Sequence, residues 1–129
     1  MTPDLRLLAY SAVLAWVMLI TASSLRSRIW AGLGLAFSNR DAMPPPTPVT
    51  ARADRAAANM LENLVLFAVL LLAAHAAGVA PSRLELGAQL FFWARVAYFP
   101  AYLAGITYLR TAAWGVGVAG MAMILLATL

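Results

Sequence analysis

The chain has 129 residues, of which 64% are hydrophobic and 11% are charged, and its mean hydropathy is +0.83. This composition is too apolar for a soluble domain of this length and indicates an integral membrane protein. The formal net charge of +4 rests on arginines near the ends of apolar stretches, which argues against a nucleic-acid-binding patch, and the absence of cysteine excludes disulfides, thiolate metal ligands and a cysteine nucleophile.

Four stretches are apolar enough to cross a bilayer, for which about 20 residues are needed. The first predicted helix covers about residues 5–25. It is longer than a signal-peptide core and lacks a small-residue cleavage site, so we expect it to be retained. The connection that follows, about residues 29–50, contains Pro44, Pro45, Pro46 and Pro48. Because proline disfavours helix, this connection is predicted to be a surface loop.

The second predicted helix covers about residues 52–79, with Thr50 as its expected N-terminal cap. At about 100° per residue, one side of this helix carries a polar stripe, with Asn63 and Leu66 at its edges. Charged groups near hydrocarbon are costly, so the stripe is a functional-site hypothesis. It consists of Arg52, Arg55, Asn59 and Glu62.

The third and fourth predicted helices cover about residues 82–106 and 109–129. Gly78 suits the end of the second helix, Pro81 stops its continuation, and Ser82 suits the N-terminal cap of the third. The fourth helix opens with Arg110, followed one turn later by Trp114. The third helix carries a similar pattern on one side, which consists of Phe91, Arg95, Tyr98 and Tyr102.

The arginines predict the orientation in the membrane. With four spans, the first and third connections share one side, which holds six of the nine arginines, whereas Arg6 and Arg83 lie on the other. The positive-inside rule places the first connection in the cytoplasm. In a bacterium this is an inner-membrane protein whose arginines face lipid headgroups and anionic ligands.

The polar inventory predicts the kind of ligand. Several guanidinium groups offer paired donors to carboxylates, a glutamate accepts from an ammonium group, and an asparagine both donates and accepts. A small zwitterion with two carboxylates and one amine fits this set. An arginine beside a ligand thiol also favours the nucleophilic thiolate.

Three segments carry a family resemblance. Residues 55–63, Arg-Ala-Ala-Ala-Asn-Met-Leu-Glu-Asn, resemble the R-A-x-x-N-x-x-E-N signature of the MAPEG family, the membrane-associated proteins of eicosanoid and glutathione metabolism. Residues 95–102 look like the third-helix motif of that family, and residues 108–111 look like its entry to the fourth helix. Together with four spans and a long first loop, the resemblance covers nearly the whole chain and suits the bacterial branch.

The resemblance implies an all-α subunit of four transmembrane helices that assembles into a homotrimer. It implies glutathione as co-substrate, bound between neighbouring subunits, and a small lipophilic substrate arriving from the bilayer. Arg110 then looks like the residue that activates the thiol, with Tyr98 and Tyr102 as further catalytic candidates. The glutathione-binding candidates are Arg52, Arg55, Asn59 and Glu62, together with Arg95 and Arg26.

Structural roles remain open for several of these residues. Arg26 and Arg28 are equally explained by contact with headgroups, Arg95 by an ion pair with Glu62, and the tyrosines by a position at the membrane interface. His75 is expected to have a surface or packing role. A lone histidine in a chain without cysteine makes no metal site.

Three classes of function follow. The leading one is a glutathione transferase or peroxidase that acts on lipophilic electrophiles or lipid hydroperoxides. The second is a trimeric binding or scaffold protein of the same fold, suggested by Ala57, Ala58 and Met60, which stand where relatives often have polar residues. A transporter is disfavoured because the four helices show neither breaks nor inverted repeats.

Overall fold

The structure, a computed structural model, describes residues 1–29, 37–41 and 43–129. The described residues form four helices and no strand, which confirms the predicted all-α bundle. The helices are α1 (Pro3–Ile29), α2 (Pro48–Ala76), α3 (Pro81–Ala104) and α4 (Thr107–Thr128). In the predicted surface loop, residues 37–41 and 43–47 are exposed and not helical. The remainder of that prediction, residues 30–36 and 42, lies outside the described residues.

Three of these helices are long and apolar enough to cross a membrane: residues 3–28 of α1, the whole of α2 and the whole of α4. The sequence predicted a fourth span in α3. That helix has 24 residues, which is long enough, but unlike the other three it contains no stretch of membrane-spanning length that is apolar enough. The protein is therefore an integral membrane protein, and α3 packs against each of the other three helices.

The start of α2 differs from its prediction. Thr47, and not Thr50, is the N-terminal cap, and its hydroxyl accepts a hydrogen bond from the backbone N–H of Thr50 at 3.4 Å. Pro48 occupies the first turn, where its missing N–H is not needed. A proline that looked like part of the loop thus begins the helix, four residues before the predicted position.

The connection between α2 and α3 is short, as predicted, but one of its two predicted caps is wrong. Gly78 has φ of +76° directly after α2, and its N–H and that of Val79 bond back to His75 and Ala74. This is the Schellman ending, in which glycine tolerates the left-handed backbone. Ser82, however, does not cap α3. The cap position is Ala80, which makes no side-chain cap bond.

Helices α3 and α4 pack most closely. A Cβ atom added to Gly120 would lie 2.5 Å from the carbonyl oxygen of Gly87, and one added to Gly87 would lie 2.7 Å from that of Gly120. Such contact requires both positions to lack a side chain, as at other close helix crossings in membranes. Between α2 and α3, the rings of Phe67 and Phe91 stack with centroids 4.1 Å apart. These contacts fix the register of α3, which carries much of the candidate site.

Candidate functional site

Most of the predicted polar residues meet at one end of the bundle, where α1 and α3 finish and α2 and α4 begin. We call this the arginine end and define it by Arg26, Arg52, Arg55 and Arg110. Two hydrogen bonds tie α2 to α3 there. Arg52 Nε donates to the carbonyl oxygen of Leu103 at 2.9 Å, and Arg55 Nε donates to Tyr102 Oη at 3.2 Å. The polar sides predicted separately for α2 and α3 therefore face one another.

Tyr102 joins the arginines of α2 and α4. Its hydroxyl group accepts the hydrogen bond from Arg55, and its ring lies under the guanidinium of Arg110, whose central carbon is 4.6 Å from the ring centroid. The ring of Tyr98 packs edge-on against the ring of Tyr102, with the two centroids 5.4 Å apart. Two guanidinium groups held at one phenol concentrate positive charge where a ligand anion would be stabilised. The structure thus brings three predicted catalytic residues together.

Arg55 and Glu62 face outward from the subunit. Arg55 is exposed, and the bond from Nε leaves its two terminal nitrogens without a partner among the described residues. Glu62 is also exposed, and it makes no ion pair or hydrogen bond to any residue that the structure describes. The two residues are seven positions apart, which is two helical turns on one face. They offer a donor pair and a carboxylate to a partner outside this subunit.

Arg95 has a different environment from the one that an ion pair with Glu62 would provide. Its side chain is fully buried, and NH1 donates to Asn59 Oδ1 at 2.8 Å. Its guanidinium carbon lies 5.3 Å from the centroid of Phe91 and 5.2 Å from that of Tyr98. The predicted alternative of an Arg95 to Glu62 pair is wrong, because the described ion pairs lie elsewhere. Packing of α2 on α3 places Asn59, and not Glu62, opposite the guanidinium.

Two predicted ligand residues are engaged within the subunit. Arg26 forms an ion pair with Asp54 of α2. Arg52 bonds a carbonyl in the last turn of α3, where a cation interacts favourably with the helix dipole. Arg28 instead is exposed at the end of α1, beside a shallow groove that Ser23, Ser24 and Ser27 line. Of the two arginines that end α1, Arg28 is therefore the one presented outward.

The departures from the family signature have a structural role. Met60 is fully buried and Ala57 nearly so, whereas Ala58 is exposed. Met60 and Ala57 belong to the hydrophobic core of the bundle. Two of the three apolar replacements therefore fill the interior of this subunit instead of removing groups from its outer face.

One polar pair was missed by the sequence prediction. At the end of the bundle opposite the arginine end, His75 Nε2 lies 2.5 Å from Oδ2 of Asp4, whose side chain is fully buried. The sequence signal was one acid in the first turn of α1 and one base in the last turn of α2, at the same predicted membrane face. No group of three or more possible metal ligands occurs in the ranges 1–29, 37–41 and 43–129.

Comparison with known proteins agrees with this architecture. The model of one family, described as the MAPEG family, matches residues 6–129, which is nearly the whole chain. No curated protein matches the chain significantly.

Proposed function

The chain belongs to the MAPEG family, and from this premise we propose that it binds glutathione at the arginine end and uses it against lipophilic electrophiles or lipid hydroperoxides. Members of the family generally use glutathione. We further propose that the protein is a homotrimer in a bacterial inner membrane, with the first connection in the cytoplasm. The positive-inside rule supports this orientation, since the arginine end carries most of the positive charge.

The observation that carries the proposal is the outward pair of Arg55 and Glu62 beside the Tyr102 cluster. Glutathione has two carboxylates, one amine and one thiol. The terminal nitrogens of Arg55 suit a carboxylate, Glu62 suits the amine, and Asn59 between them is half-buried and within reach of the same face. Groups that complement a carboxylate and the amine of the tripeptide are therefore exposed on one helix.

The thiol chemistry is assigned to the cluster of Arg110, Tyr102 and Tyr98. A fixed guanidinium charge and a phenol O–H both stabilise a thiolate relative to the thiol. In conjugation, the sulfur lone pair forms the bond to an electrophilic carbon and the leaving group departs with its bonding electrons. In peroxide reduction, two thiols supply two electrons and two protons, so that a hydroperoxide becomes an alcohol and water while glutathione becomes its disulfide.

A calorimetric titration of the detergent-purified protein with glutathione tests the proposal. We expect saturable binding, which S-methylglutathione retains because the methyl group leaves both carboxylates and the amine intact. Turnover of a chloronitrobenzene-type electrophile is then measured with the same preparation. Absence of binding to folded protein would overturn the proposal.

The second candidate is a trimeric binding or scaffold protein without turnover. It is favoured by the internal engagement of Arg26 and Arg52, which leaves fewer cations for a ligand than the sequence predicted. Saturable binding of glutathione without conjugation or peroxide reduction supports this candidate over the enzyme.

A further inference from the structure

Arg95 cannot reach a ligand at the surface of the bundle. It is the largest fully buried side chain among the described residues, and it lies between the rings of Phe91 and Tyr98. Toward α4, its Nε lies only 3.5 Å from the place where a Cβ of Gly117 would be. The guanidinium thus lies against α4 inside the bundle, at ordinary van der Waals distance. A direct contact with glutathione, which the family resemblance implied, does not fit this burial.

The geometry instead connects Arg95 to the ligand face through Asn59. Arginine has donors and no acceptor, so the atom of the Asn59 amide that faces NH1 at 2.8 Å must be the oxygen. The amide nitrogen then points away from Arg95. The backbone of Asn59 is held as well, because its carbonyl oxygen accepts from Asn63 Nδ2 at 2.8 Å. Asn59 itself is only half-buried.

Burying a guanidinium group to hold one amide has a large free-energy cost. Its Nε and NH2 have no hydrogen-bond partner among the described residues, and the ring contacts compensate only part of the cost of burial. Buried charges of this kind are retained in some proteins for the specific geometry that they impose. Because arginine stays protonated and has no acceptor, it presents a donor to the Asn59 amide at any physiological pH.

We propose that Arg95 is a positioning residue that orients the Asn59 amide so that Nδ2 donates to a carboxylate of glutathione. The inference rests on the proposed function, since it concerns the same site. It replaces a direct ligand role for Arg95 by an indirect one. Without Arg95, the amide rotates and presents its oxygen as readily as its nitrogen, so the site loses its preference for an acceptor.

A double-mutant cycle of Arg95→Met and Asn59→Ala, followed by glutathione calorimetry, tests this coupling. Each single variant is expected to weaken binding by about 10- to 150-fold, the usual effect of losing a hydrogen bond to a charged group. The double variant is expected to bind no more weakly than Asn59→Ala alone. The inference is overturned if adding Arg95→Met to Asn59→Ala weakens glutathione binding by the same factor as Arg95→Met does alone, because Arg95 would then act independently of Asn59.

A second readout separates positioning from a general structural effect. Two glutathione analogues are titrated in which one or the other carboxylate is replaced by a carboxamide. The native protein is expected to discriminate against one of them, and Arg95→Met is expected to narrow that discrimination, because a rotated Asn59 accepts from the carboxamide N–H. Ile124→Ala, a core truncation near the end of α4 that lies away from the arginine end, is expected to keep the native discrimination even if its stability falls.

Arg95→Lys keeps a positive charge and N–H donors without an acceptor, so it is expected to retain the native discrimination and to provide the test if Arg95→Met does not fold. A folded Arg95→Lys variant without discrimination contradicts the inference. So does native discrimination in a folded Arg95→Met variant. If the native chain binds no glutathione, the proposed function fails first, and this inference fails with it.

Discussion

At the scale of the residue, Glu62 is the clearest ligand candidate. Helix α2 contains two acidic residues, and one of them, Asp54, is paired with Arg26. Glu62 is exposed and has no such partner among the described residues. A carboxylate at this depth is costly unless it meets a cation. The amine of glutathione provides one.

We predict that Glu62→Gln weakens glutathione binding by about 1.5–3 kcal/mol, the contribution of a hydrogen bond to a charged group. Calorimetry on the intact oligomer measures the loss. Glu85→Gln is the matched control, because Glu85 accepts from Gln89 at 3.1 Å in the first turns of α3, far from the arginine end. Native affinity in Glu62→Gln would remove Glu62 from the site.

Arg110 is expected to act on the chemistry more than on binding. We predict that Arg110→Ala abolishes most conjugation of a chloronitrobenzene-type electrophile while glutathione still binds. The reason is that a fixed cation lowers the free energy of the thiolate more than that of the thiol. The ultraviolet thiolate absorbance of the complex is expected to disappear. Arg83→Ala, at the opposite end of the bundle, is the control.

The tyrosines are the competing candidates for this role. Tyr102 contacts both Arg55 and Arg110, so Tyr102→Phe removes the hydroxyl group that Arg55 contacts while leaving the ring under the guanidinium of Arg110. Full activity in Arg110→Ala together with loss in Tyr102→Phe or Tyr98→Phe would assign thiolate stabilisation to a tyrosine.

Single-residue patterns predicted which side chains share a helix face, but not which atoms pair between helices. Helical spacing was sufficient to place Arg55 and Glu62 on one face of α2, and the structure shows that this face is exposed. The partner of Arg95 depends on the axial register of α2 against α3, which core contacts such as the Phe67 and Phe91 stack determine. A shift of one turn would exchange Asn59 for a neighbour. The pairing of His75 with Asp4 required the same tertiary information.

At the scale of the element, the sequence predicted the helices better than their ends. Proline was taken as a loop residue throughout the first connection, although Pro48 begins α2, much as Pro81 begins α3 after the next connection. Proline is compatible with both positions. Thr47 settles the start of α2 by accepting a hydrogen bond from Thr50, a contact that residue type alone did not distinguish from a cap at Thr50.

The contact between α3 and α4 leads to a prediction about stability. We expect Gly120→Ala to lower the stability of the bundle by about 1–3 kcal/mol, because the new Cβ would meet the backbone oxygen of Gly87 and the helices would have to separate. Thermal unfolding in detergent measures the change. Gly115→Ala is the matched control on the same helix, since a Cβ there meets nothing within 4 Å.

The same thermal measurement can contradict the predicted destabilisation by Gly120→Ala. If Gly120→Ala unfolds at the same temperature as Gly115→Ala, the helices adjust without cost and their close contact is not required. Glycine allows close helix approach, and the sequence of α4 contains Gly115, Gly117 and Gly120. The structure separates them, because Gly120 meets backbone, Gly117 faces Arg95, and Gly115 is exposed.

At the scale of the whole molecule, the outward face of α2 is the feature that one subunit leaves incomplete. Besides Arg55 and Glu62, it exposes an apolar stripe with spacings of four, four and three residues, which is one side of a helix. The stripe consists of Leu61, Val65, Val69 and Leu72. Polar groups on a membrane helix are rarely left facing lipid, so this face is expected to meet protein.

We predict a homotrimer in which the three α2 helices lie near the threefold axis. Native mass spectrometry in detergent is expected to give three times the mass of the 13.7 kDa subunit.

A second measurement of the assembly is cysteine crosslinking, for which the native chain offers no competing thiol because it has no cysteine. Val65→Cys, on the exposed stripe of α2, is expected to form covalent dimers under mild oxidation in membranes, because two of three thiols around an axis can pair. Val116→Cys, exposed on α4, is the control and is expected to stay uncrosslinked. A monomeric mass, or crosslinking through Val116→Cys and not through Val65→Cys, would contradict this assembly. In that case Arg55 and Glu62 would face lipid headgroups, and a glutathione site completed by a neighbouring subunit would lose its physical basis.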